Sequence, residues 1–271
     1  MSEETAESRK QSVAALFGLV APDYDTLIPY FHTFGERIVA WIAARPGERV
    51  LDVCAGTGAT LIPAARLGAD VTGIDLAAPM VEALRSRIAA ERLDTARAEV
   101  MDAEHLDFAD ARFDALVCAF GIMFLPHLDE ALRGFHRVVR PGGRVVVAVW
   151  SESIPDRAFI RETAVRHGGG VDPLTSETTL PWSSDEGMNE LLLAAGFSAP
   201  EIRSEEAHFV FDDFEMWWRW QMSTGMRAAI VSVPQANAAA FRSDLREQWS
   251  RMADEGHFTL RQRARLARAT R

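Results

Sequence analysis

One run constrains this chain more than any other: Val50-Leu51-Asp52-Val53-Cys54-Ala55-Gly56-Thr57-Gly58. Its first half has the short apolar character of a buried strand, and its second half is a turn of small residues. Gly56 and Gly58 let the backbone approach a ligand, because a Cβ at either position would block the dihedrals or the approach itself. The next apolar run, Val71-Thr72-Gly73-Ile74, closes on Asp75. Read as strand, turn, helix and strand, the segment sets the Asp75 carboxylate at the carboxyl edge of a parallel sheet. There it can accept both hydroxyls of a ribose, with the ligand lying on N–H groups at the start of the intervening helix. Such a unit suits an adenosine-containing cofactor; a glycine turn alone is also compatible with no ligand, so the rest of the chain has to decide.

The pattern continues. Ala96 to Met101 has strand character and stops at Asp102-Ala103, Phe113 to Phe120 is a buried-type apolar run, and Arg140-Pro141-Gly142-Gly143 is a turn feeding Arg144 to Trp150. Helical spacing at Ala59–Leu67, Ala78–Glu91 and Leu128–Val139 alternates with these strands. The alternation predicts a parallel sheet covered on both faces. Before the first strand, Ser12–Leu19 and Leu27–Ala44 are spaced as helices around the turn-forming Ala21-Pro22-Asp23-Tyr24-Asp25, and residues 1 to about 12 are expected to be a frayed tail. After Trp150 come a helix over Pro155–His167 stopped by Gly168-Gly169-Gly170 and a loop from Leu174 to Trp182. A capped helix then ends at Gly196, followed by a strand over Glu201–Phe211. Helices over Phe214–Thr224 and Pro234–Ala253 and a strand over Phe258–Leu266 complete the chain. The expected fold is α/β, doubly wound and Rossmann-like, a seven-stranded mostly parallel sheet with an N-terminal helical lid and a helical insertion late in the chain.

Charge and cysteine usage narrow the partners. With 39 acidic against 29 basic residues, a net charge of −10 argues against nucleic acid, which needs clustered Lys and Arg on one face. Cys54 and Cys118 are the only cysteines, both in apolar predicted strands, so buried free thiols are expected, with no disulfide and no metal site. The polar stretch from Met1 to Gln11 lacks the apolar core of a secretion signal, and no run is long enough to span a membrane; a cytoplasmic location is the expectation.

Taken in order, Leu51 to Gly58, Gly73-Ile74-Asp75, Met101-Asp102-Ala103, Phe113-Asp114 with Phe120-Gly121-Ile122-Met123-Phe124, and Val139-Arg140-Pro141-Gly142-Gly143 resemble a class I S-adenosylmethionine-dependent methyltransferase. The branch is the one containing the ubiquinone/menaquinone C-methyltransferases (methyltransferase type 11), whose N-terminal signature resembles Phe17-Gly18 with Ala21-Pro22-Asp23-Tyr24-Asp25. Cys54-Ala55 stand where the family usually carries Gly-Cys, and Ala is small enough for the turn. A nicotinamide dehydrogenase is the competitor, but Thr57-Gly58-Ala59-Thr60-Leu61 lacks the third glycine of that fingerprint. A catalytically idle cofactor-binding partner or regulatory subunit is the other alternative.

The resemblance implies S-adenosyl-L-methionine as cofactor and an organisation of tail and lid helices over 1–45, cofactor core over 46–150, and acceptor-cap helices with closing strands over 151–271. It implies Asp75 on the ribose, Leu76 and Met80 on the adenine, Asp102 on its exocyclic amine and Ala103 offering a backbone N–H. Backbone at Ala55, Gly56, Thr57, Gly58, Ala119 and Phe120, the Asp52 side chain and a lid contact from Tyr24 would complete the cofactor site. For the acceptor, a small and largely apolar metabolite in secondary-metabolite or quinone-type biosynthesis, the candidate pocket is Phe31, Trp182, Trp217 and Trp218. Core packing is the competing use of the tryptophan-rich helix. A hydroxyl or activated-carbon acceptor needs a proton removed. The candidates for that proton are His32 and His127, ahead of Glu152, His167 and His208, with Tyr24 as a catalytic hydroxyl donor to cofactor or acceptor. Homo-oligomerisation is compatible with all of this.

Overall fold

The structure, a computed structural model, describes residues 3–151, 155–170 and 180–271. Seven strands form one sheet in the order β3-β2-β1-β4-β5-β7-β6. The parallel part is β1 (Arg49–Val53), β2 (Asp70–Asp75), β3 (Ala96–Val100), β4 (Phe113–Ala119) and β5 (Val139–Trp150). β6 (Ser198–Phe211) and β7 (Phe258–Thr270) make the antiparallel edge, β7 pairing with both β5 and β6. The central strands read Val, Leu, Ile and Ala because helices cover both faces; Leu51, Val53, Leu116, Val146 and Val147 are all buried.

On these faces lie α3 (Leu61–Arg66), α4 (Ala78–Glu91) and α5 (Leu128–Val138). The first turn of α5 carries Asp129 and Glu130 and its last turn His136 and Arg137, the signs the helix dipole favours. Because β1 is flanked by β2 on one side and β4 on the other, the strand order reverses there, and a crevice opens beyond the carboxyl ends of these parallel strands. That crevice positions the site.

Two helices close it from the N-terminal side, α1 (Glu3–Val20) and α2 (Tyr30–Ile42). The expected frayed tail is therefore helix from Glu3 onward, tied down by buried Ala6 and Lys10. The second helix starts at Tyr30, not Leu27, because Asp25, at φ 57°, turns its carboxylate onto the N–H groups of Phe31 (2.8 Å) and His32 (2.9 Å). Those are donors that the first helical turn cannot satisfy itself. After β5 come α6 (Pro155–Arg166), α7 (Asp185–Ala194), α8 (Phe214–Met222), α9 (Arg227–Val231) and α10 (Ala238–Met252). Ser184 and Asp213 cap α7 and α8 by accepting from Gly187 N and Met216 N.

The sequence gives no periodic signal for the five-residue α9. The expected turn at Arg140–Gly143 is absorbed into β5, whose register on β4 jumps between Phe113/Val139 and Ala115/Arg144. β6 and β7 both run longer than expected, because their pairing with each other extends to Ser198 and Thr270.

Candidate functional site

A cavity of about 350 Å³ lies over the carboxyl edge of the sheet. Its floor comes from the loops that follow β1, β2, β3 and β4: Cys54 and Gly56, then Asp75, Leu76, Ala77 and Met80, then Met101, Asp102 and Ala103, then Ala119, Phe120 and Gly121. Its roof is α1 through Lys10, Val13 and Phe17, and the lid segment through Tyr24 and Phe31. The far wall is Trp150 with Arg157, Trp182 and Met226. Elements from both ends of the chain thus meet over one edge.

The floor is held rigid by its own backbone. Asp75 Oδ2 accepts from Gly56 N and Oδ1 from Ala77 N, each at 2.9 Å. Burial pushes the Asp75 carboxyl above its ordinary range, and the N–H bonds from Ala77, Gly56 and Leu76 oppose that rise. Gly56 has φ 52° and presents open space to the cavity, its nearest neighbour being the Tyr24 ring at 3.8 Å from where a Cβ would stand. Gly58 has φ 94°, and a Cβ there would come within 2.5 Å of Leu84. Cys54 (φ 57°) and Phe120 (φ 62°) adopt the left-handed region without being glycine, and both line the cavity. Such conformations persist only where the surroundings over-determine them, and they gather at binding sites.

Four residues expected on the cofactor do not line the cavity. Asp52 is buried and accepts the Thr60 hydroxyl, so its carboxylate ties the turn to the start of α3; burial raises it to about 7 against the hydrogen bond from Thr60. Ala55 accepts from Gly58 N at 2.9 Å, and the Thr57 carbonyl takes Arg87 Nη1 at 2.7 Å. These residues shape the turn, and Gly56 alone of the run Ala55 to Gly58 borders the cavity. Cys54 lies just past β1 on the cavity wall, not within the strand; both cysteines are free thiols, and the neighbouring Cys118 thiol together with burial pushes Cys54 well above the usual thiol range.

At the end marked by Asp102 the structure holds an unexpected partner. Lys10, the only lysine of the chain, reaches from α1 to Asp102 Oδ2 (2.7 Å) and Glu104 Oε2 (3.1 Å). Burial would lower the Lys10 ammonium, but its bonds to Asp102 and Glu104 outweigh this and raise it. Asp102 in turn lies below the ordinary carboxylate range; burial opposes this and Lys10 drives it. Asp102 Oδ1 accepts from Glu104 N, so this carboxylate is oriented before any ligand arrives.

The other end is aromatic. Phe120 stacks on Trp150 at 3.7 Å between centroids and 13° between planes; Tyr24 stacks on Phe31 at 4.7 Å. Phe31 meets both Phe120 and Trp150 edge-on or tilted, at 6.0 and 5.9 Å. Burial, and the Asp25 and Asp75 charges, push the Tyr24 hydroxyl well above its ordinary value, while Arg157 pulls the other way. At neutral pH Tyr24 is therefore a donor and not a base.

Of the expected acceptor-pocket residues, Phe31 and Trp182 line the cavity and Trp217 and Trp218 do not. Trp217 is fully buried beside Phe214, and Trp218 lies half-buried under Arg242 at 5.0 Å, because α8 uses its rings to dock on β6 and α10. His32 and His127, expected as proton acceptors, do not line it either. His32 Nε2 pairs with Glu36 at 3.2 Å on the same helix, and His127 is the residue preceding α5, its N–H donated to Glu104 at 2.7 Å. His167 pairs with Asp244 and His208 with Glu206; Glu152 lies outside the described residues. Among the described residues no group of three or more His, Cys, Asp or Glu is placed to hold a metal ion, and no helix is long and apolar enough to cross a membrane. Lys10, Arg157 and Met226 are cavity residues that sequence reasoning missed; nothing local marks them.

A family model described as a methyltransferase domain matches residues 50–143. The chain is 36% identical over 221 residues to the demethylmenaquinone methyltransferase of Renibacterium salmoninarum, covering 75% of this chain and 91% of that protein. It is 31% identical over 200 residues to the malonyl-[acyl-carrier protein] O-methyltransferase of Pseudescherichia vulneris, covering 72% and 78%. Among solved structures, the YcgJ protein from Bacillus subtilis superposes with a TM-score of 0.60 at 17% identity, over 89% of this chain and 98% of that one, a likeness of fold alone.

Proposed function

For a chain that belongs to the class I S-adenosylmethionine-dependent methyltransferases, in the ubiquinone/menaquinone C-methyltransferase-like branch, we propose that the acceptor is a small, largely apolar metabolite of the quinone or acyl type. The observation that carries this reading is the continuity of one cavity from the Asp75 and Asp102 carboxylates, past the bare Gly56 turn, to the rings of Tyr24, Phe31, Phe120, Trp150 and Trp182. Relatives of comparable identity named for a quinone and for an acyl carrier show that membership in this family leaves the acceptor open.

The residues present fit the cofactor. Gly56 leaves free the space a Cβ would fill, Asp75 offers a fixed carboxylate for a ribose, and Leu76 and Met80 supply apolar surface beside the oriented Asp102. In this reading Ala103 and Ala119 contribute backbone, and Asp52, Ala55, Thr57 and Gly58 act at one remove by holding the turn. When bound, S-adenosylmethionine supplies a sulfonium methyl group that an in-line nucleophile can take. The protein's part is orientation, worth several kcal/mol when the acceptor is held in near-attack geometry (about 7–11 kcal/mol at the limit). The aromatic walls exclude water, and the Tyr24 hydroxyl donates to whichever oxygen lies against it.

The test is turnover. The protein with S-adenosylmethionine and a panel of reduced naphthoquinones, free apolar acids, acyl thioesters, polar amines and sugars is assayed for S-adenosylhomocysteine. Formation with an apolar acceptor and not with polar amines or sugars is expected; the reverse preference removes the apolar-acceptor reading.

A further inference from the structure

Arg157 lies on α6 with its guanidinium carbon 5.8 Å above the Trp150 ring and 6.0 Å above that of Tyr30. It borders the cavity, and so does Arg161, one turn further along the same helix face. Its hydrogen bond goes to the Tyr30 hydroxyl at 3.3 Å, and that hydroxyl also bonds Gln262 at 2.5 Å. The Arg157 Nε is buried and has no partner among the described residues.

Acids outnumber bases by ten, and several guanidiniums find a carboxylate: Arg37 takes Glu205, Arg140 takes Asp114, Arg144 takes Glu48, Arg265 takes Asp185. Among the described residues no carboxylate pairs with Arg157. Ring stacking returns little at exposed sites and only somewhat more when desolvated. A half-buried cation with an unsatisfied N–H recovers less from that than from an anion. The fork is planar and suits a two-oxygen anion. It also stands beside the aromatic wall, where Phe120, Trp150 and Trp182 would flank an apolar body.

We infer that Arg157 forms an anion subsite in the acceptor half of the cavity, and that the acceptor is an apolar acid, its ring or chain against the aromatic wall and its carboxylate on this guanidinium. The inference rests on the methyltransferase reading and adds the acceptor's charge. It also accounts for His32 and His127 standing away from the cavity: an acceptor held by its anion is oriented at both ends, and the protein's contribution is its position.

The probes are 2-naphthoate and its uncharged isostere 2-naphthamide, titrated calorimetrically into the full chain saturated with S-adenosylhomocysteine. In the wild type, naphthoate is expected to bind about tenfold or more tightly than naphthamide, the scale of a charge-assisted pair. Arg157→Gln should erase that preference while S-adenosylhomocysteine affinity stays as it was, and Arg157→Lys should restore part of it. Equal wild-type affinity for the two probes overturns the inference without any variant. A preference that survives in Arg157→Gln overturns it too. Loss of S-adenosylhomocysteine affinity in both folded variants, with the preference for naphthoate intact, assigns Arg157 to the carboxylate of the cofactor instead. Failure of the wild type to bind S-adenosylhomocysteine at all is a different result and counts against the methyltransferase reading itself.

Discussion

The two halves of the cavity are built in opposite ways. The floor is made of short loops that follow strands, and its carboxylates are oriented by backbone N–H groups of those same loops, Asp75 by Gly56 and Ala77 and Asp102 by Glu104, with Lys10 alone reaching in from α1. The aromatic half is assembled from residues that the fold brings together from α1, α2, the end of β5 and the cap, and its members touch ring to ring. Tyr30 alone meets Phe31, Phe34, Trp150, Phe209 and Trp220. A floor prepared locally holds one cofactor in one way. A wall assembled over long range can change its lining without disturbing the sheet, which is how one fold serves many acceptors.

The comparison breaks first at Gly58. Gly58→Ala adds a Cβ at φ 94° and drives it into Leu84 and Ile62. Backbone strain of roughly 1–3 kcal/mol and overpacking of about the same size should together cost roughly 2–6 kcal/mol in urea unfolding. A variant as stable as the wild type would show the turn to be pliable and remove the contrast.

Asp52 comes next. Burial holds its carboxyl at about 7, and that of Asp25 at about 6. Both lie above the ordinary value of ~3.9 for an unfolded Asp. The folded chain therefore binds these protons more tightly than the unfolded chain does. Their stabilisation is complete below about pH 4 and is lost as pH rises to about 7. Asp52→Asn removes the larger part, so the fall in stability between about pH 5 and about pH 8 should shrink by up to ~3 kcal/mol, at ~1.4 kcal/mol per pKa unit. Parallel stability curves for the two proteins would contradict this.

Asp75→Ala tests the floor as a binding surface. Losing one charge-assisted contact should weaken S-adenosylmethionine and S-adenosylhomocysteine alike by about 1.5–3 kcal/mol, roughly ten- to hundredfold. Calorimetry that finds unchanged affinity in a folded variant would take the ribose contact away from Asp75. The smallest effect belongs to His32→Ala: its pair with the exposed Glu36 contributes about 0–1 kcal/mol. Stability should move within that range and turnover should hold across pH. A pH-dependent loss of kcat would bring His32 back to the chemistry and blur the division between the halves.

Much of this was written in local sequence. The strand runs, the turn at Gly56 and Gly58 and the acid at the end of β2 are patterns a few residues long, and backbone sterics and burial periodicity translate them directly into structure. Tertiary docking decided the rest. Lys10 meets Asp102 across 92 positions, Tyr30 meets Gln262 across 232, and Arg157 meets Tyr30 across 127. The same docking turned Trp217 into core, left His32 beside Glu36 and drew Asp52 back into its own turn. A side chain's nearest neighbours along the chain set its backbone; the helices that pack over it set whether it faces a cavity, a core or solvent, and that is where the acceptor half of this site was determined.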